Sequence, residues 1–108
     1  MSDVWGTLAQ SAPAATTLTD AYTTPVYKRS TIEVVICNRD AAETTVRLSY
    51  AIAGAADSSV QYLLYDYALG ANASVSTARF TTKALDVVRV YSTSGNVTFT
   101  VNGIEEDV

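Results

Sequence analysis

The stretch RSTIEVVICNRDAAETTVRLSYAIAG, residues 29–54, decides the fold. Apolar side chains recur at every second position in both of its halves, at Ile32, Val34 and Ile36 and again at Val46, Leu48, Tyr50 and Ile52. A period of two places alternate side chains on opposite faces of a strand, and β-branched residues favour strands. Residues 38–42 between the halves contain Asn and Asp, which form turns. This stretch therefore predicts two long antiparallel strands joined by a short loop.

Further strands are predicted on either side of this pair. Alternating or aromatic-rich runs occur at residues 16–24, 60–69, 74–80, 87–91 and 97–103. Pro25 ends the first of these runs, because proline cannot donate to a sheet, and that strand is expected to stop there or to lie at a sheet edge. The turn-forming residues 92–96 predict a hairpin between the last two strands.

These runs predict one all-β domain. Seven or eight short strands separated by turns, without a helical period, indicate an antiparallel two-sheet β-sandwich, either Ig-like or jelly-roll-like. The chain of 108 residues is long enough for one hydrophobic core. We expect residues 16–108 to form the sandwich and residues 1–15 to be an N-terminal arm or an edge strand.

Composition argues against several classes of function. The net charge is −4, and the seven basic residues are scattered apart from Lys28 and Arg29, so we expect no nucleic-acid binding. No apolar run approaches the roughly 20 residues of a membrane span, and the N-terminus does not resemble a signal peptide. Cys37 is the single cysteine, and its apolar neighbours predict a buried, inert thiol.

The residues needed for catalysis are sparse. Histidine is absent, which removes the side chain best suited to proton transfer near neutral pH and the commonest zinc ligand. Two spaced acidic pairs, Asp40 with Glu43 and Asp57 with Asp66, have members in turn-forming segments and are interpreted as turn and surface residues. The terminal run 105–107 is interpreted as a solvated acidic tail. We therefore expect no enzyme activity, no cofactor and no metal site.

Aromatic residues are the strongest candidates for contacts with a partner. Trp5 lies close to the N-terminus, so its indole either folds back onto the core, which is the preferred alternative, or inserts into a neighbouring molecule. In the run 60–69, a regular pleat places Tyr65 and Tyr67 on one face. We therefore assign Trp5, Tyr65 and Tyr67 as candidate partner contacts. A long loop braced by tyrosine hydroxyls is the alternative structure for residues 60–69.

From Leu18 to Glu106 the chain resembles small virion proteins of tailed bacteriophages. The resemblance lies in the order of these motifs: Leu18-x-x-x-Tyr22-x-x-Pro25, Val35-Ile36-Cys37-Asn38-Arg39, Val46-Arg47-Leu48, Tyr62-Leu63-Leu64-Tyr65-Asp66 and Phe99-x-Val101-x-Gly103-Ile104-Glu105-Glu106. The chain departs from the pattern after Pro25, where Val26-Tyr27-Lys28 replaces the expected small, glycine-containing turn.

The resemblance implies a β-sandwich with a structural role in the virion, assembled in the host cytoplasm. The preferred function is a capsid decoration or cement protein that binds the major capsid protein and further copies of itself, with a trimer favoured. A neck, collar or tail-fibre module is the first alternative. A lectin-like receptor-binding domain, with Tyr65, Asp66 and Tyr67 as its sugar platform, is the second.

Overall fold

The computed structural model describes residues 3–108, which form nine strands in two antiparallel sheets. The strands are β1 (Val4–Ser11), β2 (Thr19–Thr23), β3 (Lys28–Asn38), β4 (Thr44–Ala51), β5 (Tyr62–Leu69), β6 (Ser74–Ser76), β7 (Phe80–Thr82), β8 (Val87–Ser92) and β9 (Val97–Asp107). Two short 3₁₀ turns, Ile52–Gly54 and Ser59–Gln61, lie between β4 and β5. The predicted all-β, two-sheet sandwich is confirmed. The nine strands exceed the predicted number partly because the strand predicted over residues 74–80 is interrupted, and its two ends belong to the short strands β6 and β7.

The five-stranded sheet has the order β1-β9-β3-β6, with β7 also paired to β3, and the four-stranded sheet has the order β2-β8-β4-β5. The core lies between the central strands of the two sheets and is made of alternate, fully buried residues: Ile32, Val34, Ile36, Val46, Leu48, Val88, Val90, Val97, Phe99 and Val101. Apolar residues therefore recur at every second position of these strands because every second side chain faces the core. Burial of these side chains is the main stabilising contribution, at about 1.5–3 kcal/mol for each large one.

The two long strands that decide the fold do not pair with each other. β3 pairs with β9, β6 and β7, whereas β4 pairs with β5 and β8. The loop between them carries the chain from one sheet to the other. The predicted hairpin at residues 92–96 is wrong for the same reason, because β8 and β9 belong to different sheets. Alternation shows that one face of a strand is buried, but either sheet can bury that face.

The first two strands, β1 and β2, are both edge strands. β2 ends at Thr23, two residues before Pro25, and is the edge strand of its sheet, as the proline predicts. β1 is the opposite sheet's edge strand and pairs only with β9. Trp5 lies opposite Ile104 in this pair, and 78% of its surface is exposed. The preferred expectation that the indole folds back onto the core is therefore wrong.

The acidic C-terminal run is the end of β9, where a solvated tail was expected. Its register with β3 places Asp107 opposite Lys28 and Glu106 opposite Arg29. The Lys28 amine lies 2.9 Å from Asp107, and Arg29 Nε lies 3.5 Å from Glu106. The adjacent basic pair that the sequence singles out is therefore the ionic partner of the chain's own C-terminal strand.

Candidate interaction surface

Arg47 occupies the centre of the outer face of the four-stranded sheet. Its neighbours Val46 and Leu48 are fully buried in the core, so the alternation of β4 directs Arg47 away from the core. In the register of β4 with β8, Arg47 lies opposite Tyr91. Cross-strand partners in an antiparallel pair share a face, so the guanidinium and the phenol ring are neighbours.

The guanidinium of Arg47 lies between two tyrosine rings. Its Cζ atom is 4.3 Å from the centre of the Tyr65 ring and 4.5 Å from that of Tyr91. Nε donates to Oδ1 of Asp66 at 2.6 Å, and Nη2 donates to Oδ2 at 3.3 Å. The hydrogen bond from Arg47 to Asp66 raises the pKa of the guanidinium above its usual value. A bidentate ion pair and two cation–π contacts thus fix one long side chain in a single orientation.

A β-bulge in β5 places Tyr65 against Arg47. Tyr67 pairs with Val46, and Leu64 pairs with Leu48, so β5 has one residue more than β4 between these two pairs. Asp66, within the bulge, has a φ of +49°. The extra residue shifts the alternation of side chains along β5. Tyr67 therefore shares its face with buried Val46, whereas Tyr65 stacks on Arg47, which points outward. The prediction that Tyr65 and Tyr67 share a face is wrong, since it assumed a regular pleat.

Tyr62 extends the aromatic patch. Its ring meets the Tyr65 ring edge-on, with centroids 5.0 Å apart and planes at 84°. Its hydroxyl donates to Oδ1 of Asp57 at 2.9 Å, and burial together with this bond raises the pKa of Tyr62. We call Arg47, Tyr62, Tyr65, Asp66 and Tyr91 the Arg47 cluster. The hydrogen bonds and ring contacts already hold these side chains in place, so the cluster has little conformational freedom to lose when it binds a partner.

A second ion pair borders the cluster on the same face. Arg89 Nε donates to Oδ1 of Asp20 at 3.0 Å, and its other nitrogens donate to the carbonyl oxygens of Ala55 at 2.8 Å and Gly54 at 3.2 Å. Arg89 lies in β8, opposite Ser49 of β4. The outer face therefore carries two arginines whose charges are paired within the chain, and a partner would meet an ordered surface.

The acidic residues singled out in the sequence have structural partners. Asp40 accepts hydrogen bonds from Ser94 Oγ and Asn96 Nδ2, and these bonds lower the pKa of its carboxyl. Asp57 accepts from Tyr62, and Asp66 accepts from Arg47. Glu43 lies exposed in the loop that precedes β4. These contacts brace loops and strands.

Asp86 is a buried carboxylate that the sequence did not single out. It accepts hydrogen bonds from the Tyr50 hydroxyl, from the backbone N–H of Ala53 at 2.9 Å and from that of Lys83 at 2.8 Å. Burial opposes ionisation, but these three bonds outweigh it and hold the pKa of Asp86 below its usual value. An acidic residue directly before a strand is an ordinary sequence feature, so only the fold reveals that Asp86 joins two loops.

Residues 3–108 contain no cluster of metal ligands and no membrane-spanning helix. Within this range no group of three or more Cys, Asp or Glu side chains is arranged to hold a metal ion. None of the helical turns in the same range is long and apolar enough to cross a membrane. Neither a protein-family model nor a curated protein sequence matches the chain.

Proposed function

We propose that this protein is a non-enzymatic structural protein of a tailed-bacteriophage virion, which decorates the capsid by binding the major capsid protein and other copies of itself. The motif order from Leu18 to Glu106 supports the virion assignment. The preformed Arg47 cluster supports a role in binding other proteins. The proposal places the contact with the capsid on the outer face of the four-stranded sheet.

The stacking of Arg47 between Tyr65 and Tyr91 is the observation that carries this proposal. Tyrosine and arginine are enriched among the few residues that carry most of the binding energy of a protein interface, and a residue already fixed in its bound orientation loses little entropy on association. Tyr65 still exposes 60% of its surface, although Arg47 and Tyr62 contact its ring. The cluster thus combines order with accessible aromatic area.

A capsid repeats the same binding site many times, and this lowers the affinity that each copy needs. Contacts between neighbouring copies add avidity, because release of one molecule then requires several contacts to break. A trimer would match the local threefold axes of an icosahedral shell. We therefore expect sedimentation at micromolar concentration to show a stable oligomer, and a monomer under these conditions would contradict the self-association.

Binding to purified heads that lack this protein tests the contact surface. We expect Tyr65→Ala and Arg47→Ala to weaken binding by about 30-fold, which corresponds to a hot-spot residue. Tyr67→Ala is the matched control, because Tyr67 is exposed on the same strand but shares the face of Val46. A change of less than about threefold is expected for it. Equal effects of Tyr65→Ala and Tyr67→Ala would exclude the Arg47 cluster as the contact.

The number of copies per virion distinguishes decoration from the alternative neck, collar or tail-fibre role. Hundreds of copies, with density spread over the head, are expected for a decoration protein, whereas a dozen or fewer around the tail axis would support the alternative. A lectin-like receptor-binding domain is the second alternative. The two tyrosines of its expected sugar platform occupy different faces and Asp66 is paired with Arg47, and this favours decoration over the lectin role.

A further inference from the structure

A cleft of about 240 Å³ lies on the outer face of the five-stranded sheet, on the side of the sandwich opposite the Arg47 cluster. Three strands and one loop form this cleft. Trp5 of β1 is one wall, β9 and β3 provide the floor, and Arg79 reaches it from the connection between β6 and β7. The side chains of Thr31, Glu33 and Asn102 line it as well.

Gly103 and Ile104 of β9 form the part of the floor that lies nearest to Trp5. Gly6 of β1 lies opposite Gly103, and Gly103 lies opposite buried Ile32 of β3. Gly103 also lies so close to β3 that an added Cβ would be 2.0 Å from the carbonyl oxygen of Thr31. Ile104 lies opposite Trp5 on one side and Thr31 on the other, so its side chain shares their outer face and borders the exposed indole.

The polar groups of the cleft are available to a ligand. Thr7 Oγ1 donates to Oδ1 of Asn102 at 2.8 Å, which leaves the amide N–H groups of Asn102 to donate elsewhere. Within residues 3–108, the side chains of Arg79 and Glu33 form no hydrogen bond or ion pair with the protein. Glu33 lies opposite Asn102 in the β3–β9 register, so an acceptor and a donor stand side by side.

We propose that this cleft binds the pyranose ring of a carbohydrate. The apolar face of such a ring stacks on an indole, whose π face attracts polarised C–H groups. Its hydroxyl groups both donate and accept, so they satisfy the donors of Arg79 and Asn102 and the acceptor Glu33 together. A phosphate would be repelled by the Glu33 carboxylate, and an aliphatic ligand would form no hydrogen bond with any of the three polar groups.

The volume of the cleft suits a ligand of about one sugar ring. Pockets for drug-sized molecules have volumes of about 300–1,000 Å³, so a cleft of about 240 Å³ takes a smaller unit. Few contacts and an open geometry give weak binding, and we expect a Kd of about 1 mM for a single monosaccharide. The site is independent of the proposed capsid contact, since the two lie on different sheets.

Trp5 is the only tryptophan of the chain, so its fluorescence reports on this cleft alone. The experiment titrates the full chain with methyl glycosides of glucose, galactose, mannose and N-acetylglucosamine, each to roughly 50 times the expected Kd. At least one glycoside is expected to give a saturable change in emission and in the NMR signal of the indole N–H.

Variants locate the binding. Arg79→Ala and Glu33→Gln are expected to weaken the response by about tenfold each, whereas Arg39→Ala, an exposed arginine that does not line the cleft, is expected to leave it unchanged. Melting temperatures verify that each variant is folded. Absence of any saturable response overturns the proposal, as does a response that Arg79→Ala and Glu33→Gln leave intact. A Trp5 response to phage heads but to no glycoside would instead make the cleft a protein contact.

Discussion

The hydroxyl of Tyr22 donates a 2.6 Å hydrogen bond to Oε2 of Glu105 and thereby joins β2 of one sheet to β9 of the other. Both residues are buried. Beside them, Thr24 and Thr82 are 2.6 Å apart through their hydroxyls, and Ser30 also contacts Thr82. This end of the core therefore contains a network of buried polar side chains. Buried polar groups stabilise a fold only while each keeps its partner.

Tyr22→Phe removes the hydroxyl that donates to Glu105, so the buried Glu105 carboxylate loses this hydrogen bond. We expect the free energy of unfolding to fall by about 1–3 kcal/mol. Tyr62→Phe is the control, because it also removes a tyrosine–carboxylate hydrogen bond, to Asp57 at the surface, and it should cost less than about 0.5 kcal/mol. Urea unfolding followed by circular dichroism measures both. Equal losses would show that the Tyr22–Glu105 bond contributes nothing beyond a surface bond.

Alkaline pH should destabilise the protein through two tyrosines. Burial and the bond to Glu105 raise the pKa of Tyr22 to about 12, and burial and the bond to Asp86 raise that of Tyr50 to about 12. In the unfolded chain a tyrosine titrates near pH 10. The folded state thus holds protons that the unfolded state releases, so stability is complete below about pH 10 and is lost as the pH rises towards about 12.

Urea midpoints at pH 9, 10 and 11 test this dependence. The midpoint should be steady from pH 9 to 10 and then fall. In the double variant Tyr22→Phe/Tyr50→Phe the fall should be smaller, because the groups responsible are gone. A wild-type midpoint that does not change up to pH 11, or an identical fall in the double variant, would rule out these tyrosines as the cause.

The sequence predicted most strands because burial in a sandwich has the same period of two as the pattern of apolar residues. It could not predict how the strands pair. The runs around Ile32 and Val46 both require one buried face, and nothing local distinguishes a hairpin from a crossing between sheets. The sequence also could not predict the interruption of the single strand expected over residues 74–80. At this interruption the Thr77 hydroxyl accepts a hydrogen bond from the Val34 N–H, and the Thr77 N–H donates to the Val34 carbonyl.

The candidate surface was predicted in part. Trp5, Tyr65 and Tyr67 were assigned as candidate partner contacts, and all three are exposed, although Trp5 was expected to fold back onto the core. Arg47 and Tyr91 were missed, because their contact depends on strands 44 residues apart in the chain becoming neighbours. The bulge at Asp66 was missed because no glycine marks it. An arginine at an outward position of a central strand was the one signal that could have indicated the cluster.

Asp86 should make the protein sensitive to acid. Its folded pKa lies below the unfolded value, so its contribution is present above about pH 4 and is lost as the pH falls through the lower, folded pKa. Asp86→Asn should reduce the free energy of unfolding by about 2 kcal/mol at pH 7, because an amide cannot accept all three hydrogen bonds.

The difference in the free energy of unfolding between Asp86→Asn and wild type should shrink below about pH 4, because the wild-type carboxyl then becomes protonated and loses its charge. Asp66→Asn is the control at the surface, where loss of an ion pair costs less than about 1 kcal/mol. Urea unfolding at pH 7 and pH 3 gives both differences. A gap between Asp86→Asn and wild type that is the same at both pH values would disprove the role of its charge.

Gly103 should tolerate no side chain. A Cβ atom there would lie 2.0 Å from the Thr31 carbonyl oxygen and 2.9 Å from the Ile32 Cα, both of them backbone atoms of a central strand. Gly103→Ala should therefore cost about 3 kcal/mol or more, because β3 and β9 must separate. Gly70→Ala is the control, since its Cβ would meet only the Ala73 Cβ at 3.9 Å. Thermal unfolding should show a large loss for the first and little change for the second.

Asn38 joins the loops at the end of the sandwich opposite Asp86. Its amide nitrogen lies 2.9 Å from the Ala42 carbonyl oxygen, 3.2 Å from that of Leu69 and 3.0 Å from that of Gly70. Asn38→Asp replaces this donor with a carboxylate oxygen that faces three carbonyl groups. We expect a loss of about 3 kcal/mol or more at pH 7, because a buried charge is left among acceptors.

The loss should be smaller at low pH. The carbonyl groups around residue 38 would raise the pKa of the new carboxyl in the folded state, so stability is retained while it is protonated and is lost as the pH rises through that pKa. Asn72→Asp is the matched control, because Asn72 is exposed with a φ of +56°, which aspartate also tolerates. Urea unfolding of both variants and wild type at pH 7 and pH 4 measures the difference. If Asn38→Asp follows Asn72→Asp at both pH values, the amide of Asn38 does not hold these loops together.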